Sequence, residues 1–514
     1  MRLVEFINFI DMKKNLYIIL CLVLTGLFVS SCDDRLDVVS PDELTSGNFW
    51  RSQTDAEAGL AAVYSKLECA TETWEFAEVK FPVEAYREDV CNIGSDALNY
   101  PTWVELFNFT YTNGNSQFYK YWEIHYQGIS YANQVLEKVP SINMDETYKK
   151  QILAEAHFLR GYYHMKLLLN WERIIIRNEY ITSEGQISKP LSDRGAAWDF
   201  IIAEFEAATG LPQKQTPERT GRATQGAAYA YMGYSLLTRA YEDTGKKVEY
   251  LAKAEAAFKK VKGYELEKNF LSMFNGTNKN SKESIFELQF TENTANGAAY
   301  RTALHKWIST GELGGWDEIF PNQILIDEYK KEGKTATTGL YDSRLYQTVF
   351  FNDSYFNDVT DKKVYGYTYN ELFGATSQKA CFRKYLPATL EDLNKSRTAV
   401  NLPLMRYADV LLLLAESLNE QGKTPEAIPL INQVRDRADM PEIPADSNQD
   451  FVKKQIEHER ILEFALENTR FYDMRRWGKA KEALTAVGRT GFSSDKNNFY
   501  PIPLLEIKSN DQIN

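Results

Sequence analysis

The hydrophobic pattern opens with an apolar run of 14 residues, Leu16 to Val29. Met12-Lys13-Lys14 precedes it, and Val29-Ser30-Ser31-Cys32 followed by Asp33-Asp34 closes it. A bilayer-spanning helix needs ~20 apolar residues, so the run is too short to cross. A basic head, an apolar core and small residues ahead of a cysteine have the order of a bacterial secretory signal with a lipoprotein box. The pattern predicts cleavage before Cys32 and acylation of its thiol and of the new amino terminus. Two or more acyl chains give lasting anchorage without a span. Residues 1–11 fit no part of a signal, and Met12 reads as the true start. The predicted layout is a signal over 1–31, a lipidated tether over 32–45, and a single body over 46–514.

Beyond the tether the period becomes helical. Asp55 is placed to cap a helix through Leu60, Val63 and Leu67. Residues 69–112 break the period with Pro82, Gly94, Pro101 and scattered aromatics, and read as a long loop region with short strands. Helices are predicted over Gln117–Val139, Glu146–Leu169 and Ala196–Ala208. In the second of these, Ile152, Ala156, Leu159, Tyr163 and Leu167 share one face. Two helical hairpins follow. Ala227, Ala230, Tyr231, Tyr234, Leu237 and Tyr241 face Ala254, Ala257, Phe258 and Val261 across Gly245. Ala408, Leu411, Leu412, Ala415 and Leu418 face Ala427, Leu430, Ile431, Val434 and Ala438 across Gly422, with Pro441 as a stop. Small residues at the contact, a turn glycine and a closing proline match a diverged tetratricopeptide pattern, and about four such pairs are expected to stack. Residues 268–402 are instead rich in Gly, Asn, Thr and aromatics. Ser284–Phe290 alternates as a strand would. The two irregular regions, near 69–112 and 268–402, are the expected functional inserts on a mostly α-helical scaffold.

Charge narrows the function. Removing 31 of the 514 residues leaves 483. The removed part carries Arg2, Lys13 and Lys14 against Glu5 and Asp11, a net +1, which takes the formal −12 of the whole chain to −13. An acidic chain argues against a nucleic-acid binder, which needs a basic face to displace counterions. After Cys21 leaves and Cys32 is acylated, Cys69, Cys91 and Cys381 remain. Their spacing suits no metal, and Cys69–Cys91 is the nearest pair for a disulfide.

Several blocks resemble the SusD/RagB family of outer-membrane nutrient-uptake lipoproteins. Near the start they are Cys32-Asp33-Asp34-Arg35-Leu36-Asp37, Pro41 and Asn48-Phe49-Trp50. In the middle they are Ala154 to Tyr163, with Asn170-Trp171 after them. The family's Trp-Gly-Pro-type run is replaced here by Trp171-Glu172-Arg173-Ile174. The most specific blocks are late: Arg406 to Glu416, Ile431 to Ala438, Glu459-Arg460, Glu463-Phe464, Glu467, Arg470-Phe471, Asp473 and Arg475 to Gly478. Tyr500-Pro501-Ile502-Pro503, Glu506-Ile507 and Asn510 complete them. The resemblance implies a mostly α fold with four tetratricopeptide-like pairs and a lipid-anchored lid on a SusC-like TonB-dependent β-barrel transporter. It also implies capture of a glycan, or sometimes a peptide, at the outer membrane without catalysis; no cofactor is expected, no metal ligands are assigned, and whether a metal ion sits in a loop stays open.

Sugar rings stack their C–H faces on flat aromatics, and their hydroxyls need planar polar partners. The first insert offers Trp74, Arg87, Asp89, Asp96, Asn99, Tyr100 and Trp103. The second offers Tyr300, Trp307 and Trp316. Core packing is the ordinary explanation for any single tryptophan, and the set is what points to a ligand. The run Tyr355–Phe373 reads either as a wall of the site or as a strand with one buried face. Arg460, Glu463, Glu467, Arg470, Asp473 and Arg475 have the spacing of ion pairs along and between helices. His458-Glu459 lacks a second histidine four residues on, and His157 and His164 lack a third ligand, so no zinc site is indicated. There is no phosphate loop and no G-x-S-x-G elbow. Two other classes compete: a protein-interaction scaffold without a pocket, and a secreted glycoside hydrolase.

Overall fold

Helices carry the chain in the computed structural model, which describes residues 49–70, 79–293 and 300–513. The signal, Cys32, the tether and Trp74 lie outside the described residues. The longer helices are α1 (Gln53–Tyr64), α2 (Ser116–Lys138), α3 (Glu146–Asn170), α4 (Arg194–Ala207), α5 (Gln225–Glu242), α6 (Lys247–Phe258), α7 (Tyr407–Glu420), α8 (Thr424–Arg437) and α9 (Gln449–Phe464). Each packs on the next from α1 to α6. The chain then leaves for the second insert and returns as α7, which packs on α6, α8 and α9.

Side-chain caps set the helix starts. Asp145 accepts from the Tyr148 N–H, Asp193 from Gly195 and Ala196, and Thr224 from Ala227, each satisfying an amide the helix leaves unpaired. At α1 the cap is Ser52. Asp55 sits three residues in and completes the capping box from the other side. Gly422, at φ +75°, turns α7 into α8.

α3 departs from its expected one-sided pattern. Every residue from Phe158 to Asn170 is buried, so this half is enclosed all round. The enclosed polar groups are matched. Arg160 forks onto Glu204, with both bonds at 2.7 Å, and Lys166 pairs with Glu84 at 2.5 Å. Gly128 of α2 lets α3 approach, since a Cβ there would lie 2.5 Å from the Tyr163 ring.

Among the described residues six short strands form three antiparallel pairs. β1 (Cys91–Ile93) pairs with β3 (Ile319–Pro321), β2 (Ser284–Leu288) with β6 (Leu402–Arg406), and β4 (Val349–Phe350) with β5 (Cys381–Phe382). The β2–β6 pair places the start and end of the second insert side by side. The β1–β3 pair ties the two inserts together. The described part of residues 69–112 holds more helix than its composition suggests. Pro101 opens a helix to Asn108, because the first helical position has no use for an N–H. Tyr355–Phe373 is not a strand but a series of turns ending in a short helix, Tyr369–Phe373. Cys91 and Cys381 are buried free thiols, so the Cys69–Cys91 bridge allowed by spacing is not made.

The late charged residues are interior. Glu463 of α9 is met by Arg406 from the end of β6 (2.8 Å), Arg437 from α8 (2.5 Å) and Arg344 from the second insert (3.1 Å). Burial alone would raise its pKa, but Arg437, Arg406 and Arg344 hold the carboxyl well below the usual range. Glu467 takes Arg406 and Lys384, each at 2.6 Å. Arg460 bridges Asp409 and Asp473, each at 2.7 Å. Arg475 donates to the Leu169 and Asn498 carbonyls.

Removing one member of such a cluster strands the charges of the others. Glu463→Ala is expected to lower the unfolding free energy by roughly 3–5 kcal/mol in chemical denaturation. Lys253→Ala, which breaks the exposed pair with Glu249 and a long contact with the Tyr250 ring, should leave the midpoint nearly unchanged. Equal, small effects of the two would contradict the structural role of the cluster.

Candidate functional site

The β1–β3 pairing brings the two inserts face to face. Beyond β1 the chain stays close to the strand opposite: the Gly94 N–H donates to the Glu318 carbonyl at 2.7 Å and the Asp96 N–H to the Asp317 carbonyl at 3.3 Å. This approach needs glycine, because a Cβ on Gly94 would lie 1.9 Å from the Asp317 carbonyl oxygen. A short 3-10 turn, Ala97–Asn99, then leads into the helix opened by Pro101. Asp96, Asn99 and Tyr100 thus line a ledge whose opposite side is Trp316-Asp317-Glu318.

An aromatic column roots the ledge. Half-buried Tyr100 packs on buried Trp103, with ring centroids 4.4 Å apart. Trp103 meets Trp307 edge-on at 6.5 Å, and Trp307 meets Tyr86 at 5.7 Å and Phe81 at 5.6 Å. The Tyr86 hydroxyl donates to the Glu318 carbonyl at 2.9 Å. Rings packed this way have few rotamers left to lose, which is what a binding platform needs. Trp316 is half-buried, and Asn99 is exposed, with its amide donating to Asp96 at 2.9 Å.

The ledge is polar at its base. Burial, with the Asp96 carboxyl beside it, pushes Glu318 up to about 8, so at neutral pH it holds a proton against Asp96. Glu318 Oε2 and Trp103 Nε1 are buried without a hydrogen-bond partner among the described residues. At the margin Lys379 pairs with Glu312 (2.7 Å) and Asp317 (3.2 Å), its ammonium 5.2 Å from the Phe320 ring. Donors, acceptors and a ring face in one place can take up a polyhydroxy ligand. Nothing in this arrangement forms an activated nucleophile.

The other candidates lie elsewhere. Arg87 is fully buried between the Phe471 ring (3.7 Å) and the Tyr500 ring (4.3 Å). It donates to Asn170 and to the Asn497 and Asn498 carbonyls. Asp89 is buried in a two-pronged pair with Arg470. Both are thus held inside the chain and do not reach the ledge, because the C-terminal segment surrounds them. Trp307 is in the core. Tyr300 is 40 % exposed, stacked on Phe290 at 5.1 Å, with its hydroxyl on Glu68. It forms a separate surface point. Nothing local in the sequence marks Glu318, Asp317 and Lys379, although Gly314-Gly315 beside Trp316 signals a tight turn there.

The histidines are engaged. His157 meets Glu204 at 3.1 Å, and His164 Nδ1 faces the Arg160 carbonyl at 2.8 Å. Glu332, His458 and Glu459 bring ligand-type atoms within 4.8 Å of one another. However, Glu459 is held by Arg344 and Arg435, and His458 lies between Glu328 (2.6 Å) and Glu332 (3.1 Å). Burial alone would lower His458, yet these two carboxylates raise it to about 9. Cationic side chains already fill the role a metal would play there.

Two family models match the chain: that of the SusD family over residues 282–514, and one described as starch-binding and associating with outer membrane over 36–236. A SusD-like protein of Formosa agariphila is 24% identical over 499 residues, covering 94% of this chain and 95% of its own. A SusD superfamily protein from Bacteroides vulgatus superposes with a TM-score of 0.76 at 24% identity, covering 91% of this chain and 99% of that one. A laminarin-binding SusD-like protein superposes with a TM-score of 0.72 at 25% identity, covering 90% and 99%.

Two outcomes follow for the ledge. Gly94→Ala must push the Asp317 carbonyl away, so amide exchange at residues 94 and 96 should speed up while exchange in α3 stays slow. Protection unchanged at both positions would contradict the close approach. Glu318 lies at about 8 when folded against an ordinary 4.5. Its contribution to holding the ledge closed is therefore whole below about 4.5 and is lost as pH rises to about 8. Local opening measured by exchange should become easier across that window in the wild type and not in Glu318→Gln.

Proposed function

The chain belongs to the SusD/RagB family, and from that premise we propose that it is a surface-exposed, lipid-anchored protein that captures oligosaccharide and passes it to a SusC-like TonB-dependent outer-membrane transporter. The observation that carries this reading is the ledge. Half-buried Tyr100 is seated on Trp103, and Asp96, Asn99 and the Trp316-Asp317-Glu318 turn lie alongside. A sugar ring lays its C–H face on Tyr100 while its hydroxyls meet the amide of Asn99 and the carboxyls of Asp96 and Glu318. The protein acts by binding and does not turn the glycan over. Membership supports the choice of ligand class, and the laminarin-binding relative in structure gives an instance of it.

Cys32 is the proposed acylation site, on the outer membrane and facing the exterior. The tether over 32–45 leaves the body over 46–514 room to reach a transporter mouth. Anchorage keeps the local concentration at that mouth high, so modest affinity suffices. The tetratricopeptide-like face of the helical stack is the surface proposed to contact the barrel.

Affinity electrophoresis against plant, host and microbial polysaccharides tests the reading. At least one glycan should retard the wild type. Tyr100→Ala or Trp316→Ala should weaken that binding by about 2 kcal/mol, ~30-fold, and Tyr100→Phe should largely restore it. Retardation unaffected by either alanine, or release of sugar from the polysaccharide, would overturn it.

A further inference from the structure

Away from the ledge, the chain between α4 and α5, the residues after α6 and the start of β2 enclose a cleft of about 610 Å³. Pockets for small ligands span ~300–1,000 Å³. Its rim is cationic, in a chain whose formal charge is −12. Lys214 and Lys262 are exposed and make no ion pair among the described residues. Among the described residues Lys282 pairs only with the exposed Glu265, at 3.1 Å. Glu287 is the carboxylate in the lining. It is buried and tied down by the Asn280 N–H (3.0 Å) and the Asn401 amide (2.7 Å), so its charge is not offered to the opening.

The wall is built for hydrogen bonding. Asn280 and Gln289 exchange two amide hydrogen bonds, at 2.8 and 2.9 Å, which fixes a planar polar shelf. Gln289 reaches it across Gly221, where a Cβ would lie 2.2 Å from the Gln289 Cγ. Tyr264 is half-buried beside the shelf, with its hydroxyl fixed to Thr224 at 2.9 Å. Two lysines without ion pairs, a third held only by an exposed carboxylate, amides and one ring therefore converge on a space separate from the ledge.

We propose that this cleft is a second carbohydrate site, for an anionic oligosaccharide bearing uronate or sulfate groups. Lys214, Lys262 and Lys282 meet the acid groups, Asn280 and Gln213, which lines the cleft beside Lys214, meet the hydroxyls, and Tyr264 covers a ring face. The inference rests on the reading of the protein as a glycan binder. Most of the acidic surface repels such a ligand, so a local cationic rim also selects where it lands.

Titration calorimetry with oligogalacturonate and with dextran sulfate, against unsulfated dextran, tests it on the purified chain. At low salt at least one of the two anions should bind, which also separates uronate from sulfate. Its affinity should fall about tenfold or more in Lys214→Ala/Lys262→Ala/Lys282→Ala and should weaken with added salt. It should be unchanged in Tyr100→Ala/Trp316→Ala. No binding of either anion at low salt, equal binding by the triple variant, or loss with the ledge variant would overturn the cleft. The neutral glycan bound at the ledge is measured in parallel. If the ledge binds none while the anion binds the cleft, the ledge reading falls and the cleft stands.

Discussion

A carboxylate shut away from water must be paired, and Glu463 is paired three times over. Arg406 comes from the end of β6, Arg437 from α8 and Arg344 from the second insert. Guanidinium groups fix direction as well as distance, so each contact sets the place of the element that delivers it. The helical stack and the insert therefore share one register at α9. Replacing such a cluster by well-packed apolar groups would not cost stability in general. What the cluster supplies here is a definite relation between an irregular segment and a regular one.

The first insert is held by the same means from the far end of the sequence. Arg470 grips Asp89, and Arg489 donates to the Glu88 and Phe107 carbonyls and to that of Tyr86. Arg87 answers by donating to the Asn497 and Asn498 carbonyls. With both inserts fixed, the short β1–β3 pair is enough to join them. The ledge sits at that join, so its rings and carboxyls are presented by a rigid frame. A rigid platform loses little entropy when a flexible sugar chain settles on it.

The helices were legible because their periodicity and turn glycines are local signals. The residues expected to face inward on α3 and α7 are buried, but so is much of the rest of each helix. What was not legible depends on residues far apart. Arg87 and Asp89 look like ligand contacts in the sequence, but the partner of Asp89 lies 381 residues away. Trp307 and Trp316 sit nine residues apart in similar surroundings, yet one is core and the other reaches the surface. The full burial of the second half of α3 was hidden by its Arg160, His164 and Lys166, whose partners come from other elements. Pro101 has the look of a breaker in the sequence, yet it serves as the first residue of a helix. Of the ledge, Asp96, Asn99, Tyr100, Trp103 and Trp316 are legible as candidates in the sequence. Glu318 is not, because its neighbour Asp96 comes from the other insert.

The most direct measurement is a crystal structure of the chain with an oligosaccharide cut from whichever polysaccharide retards it. The account predicts a sugar ring lying on Tyr100, within hydrogen-bond reach of Asn99 and of Asp96 or Glu318, on a frame that has not moved. A well-ordered sugar bound elsewhere with the ledge empty, or a ledge that must come apart to admit it, would contradict the account.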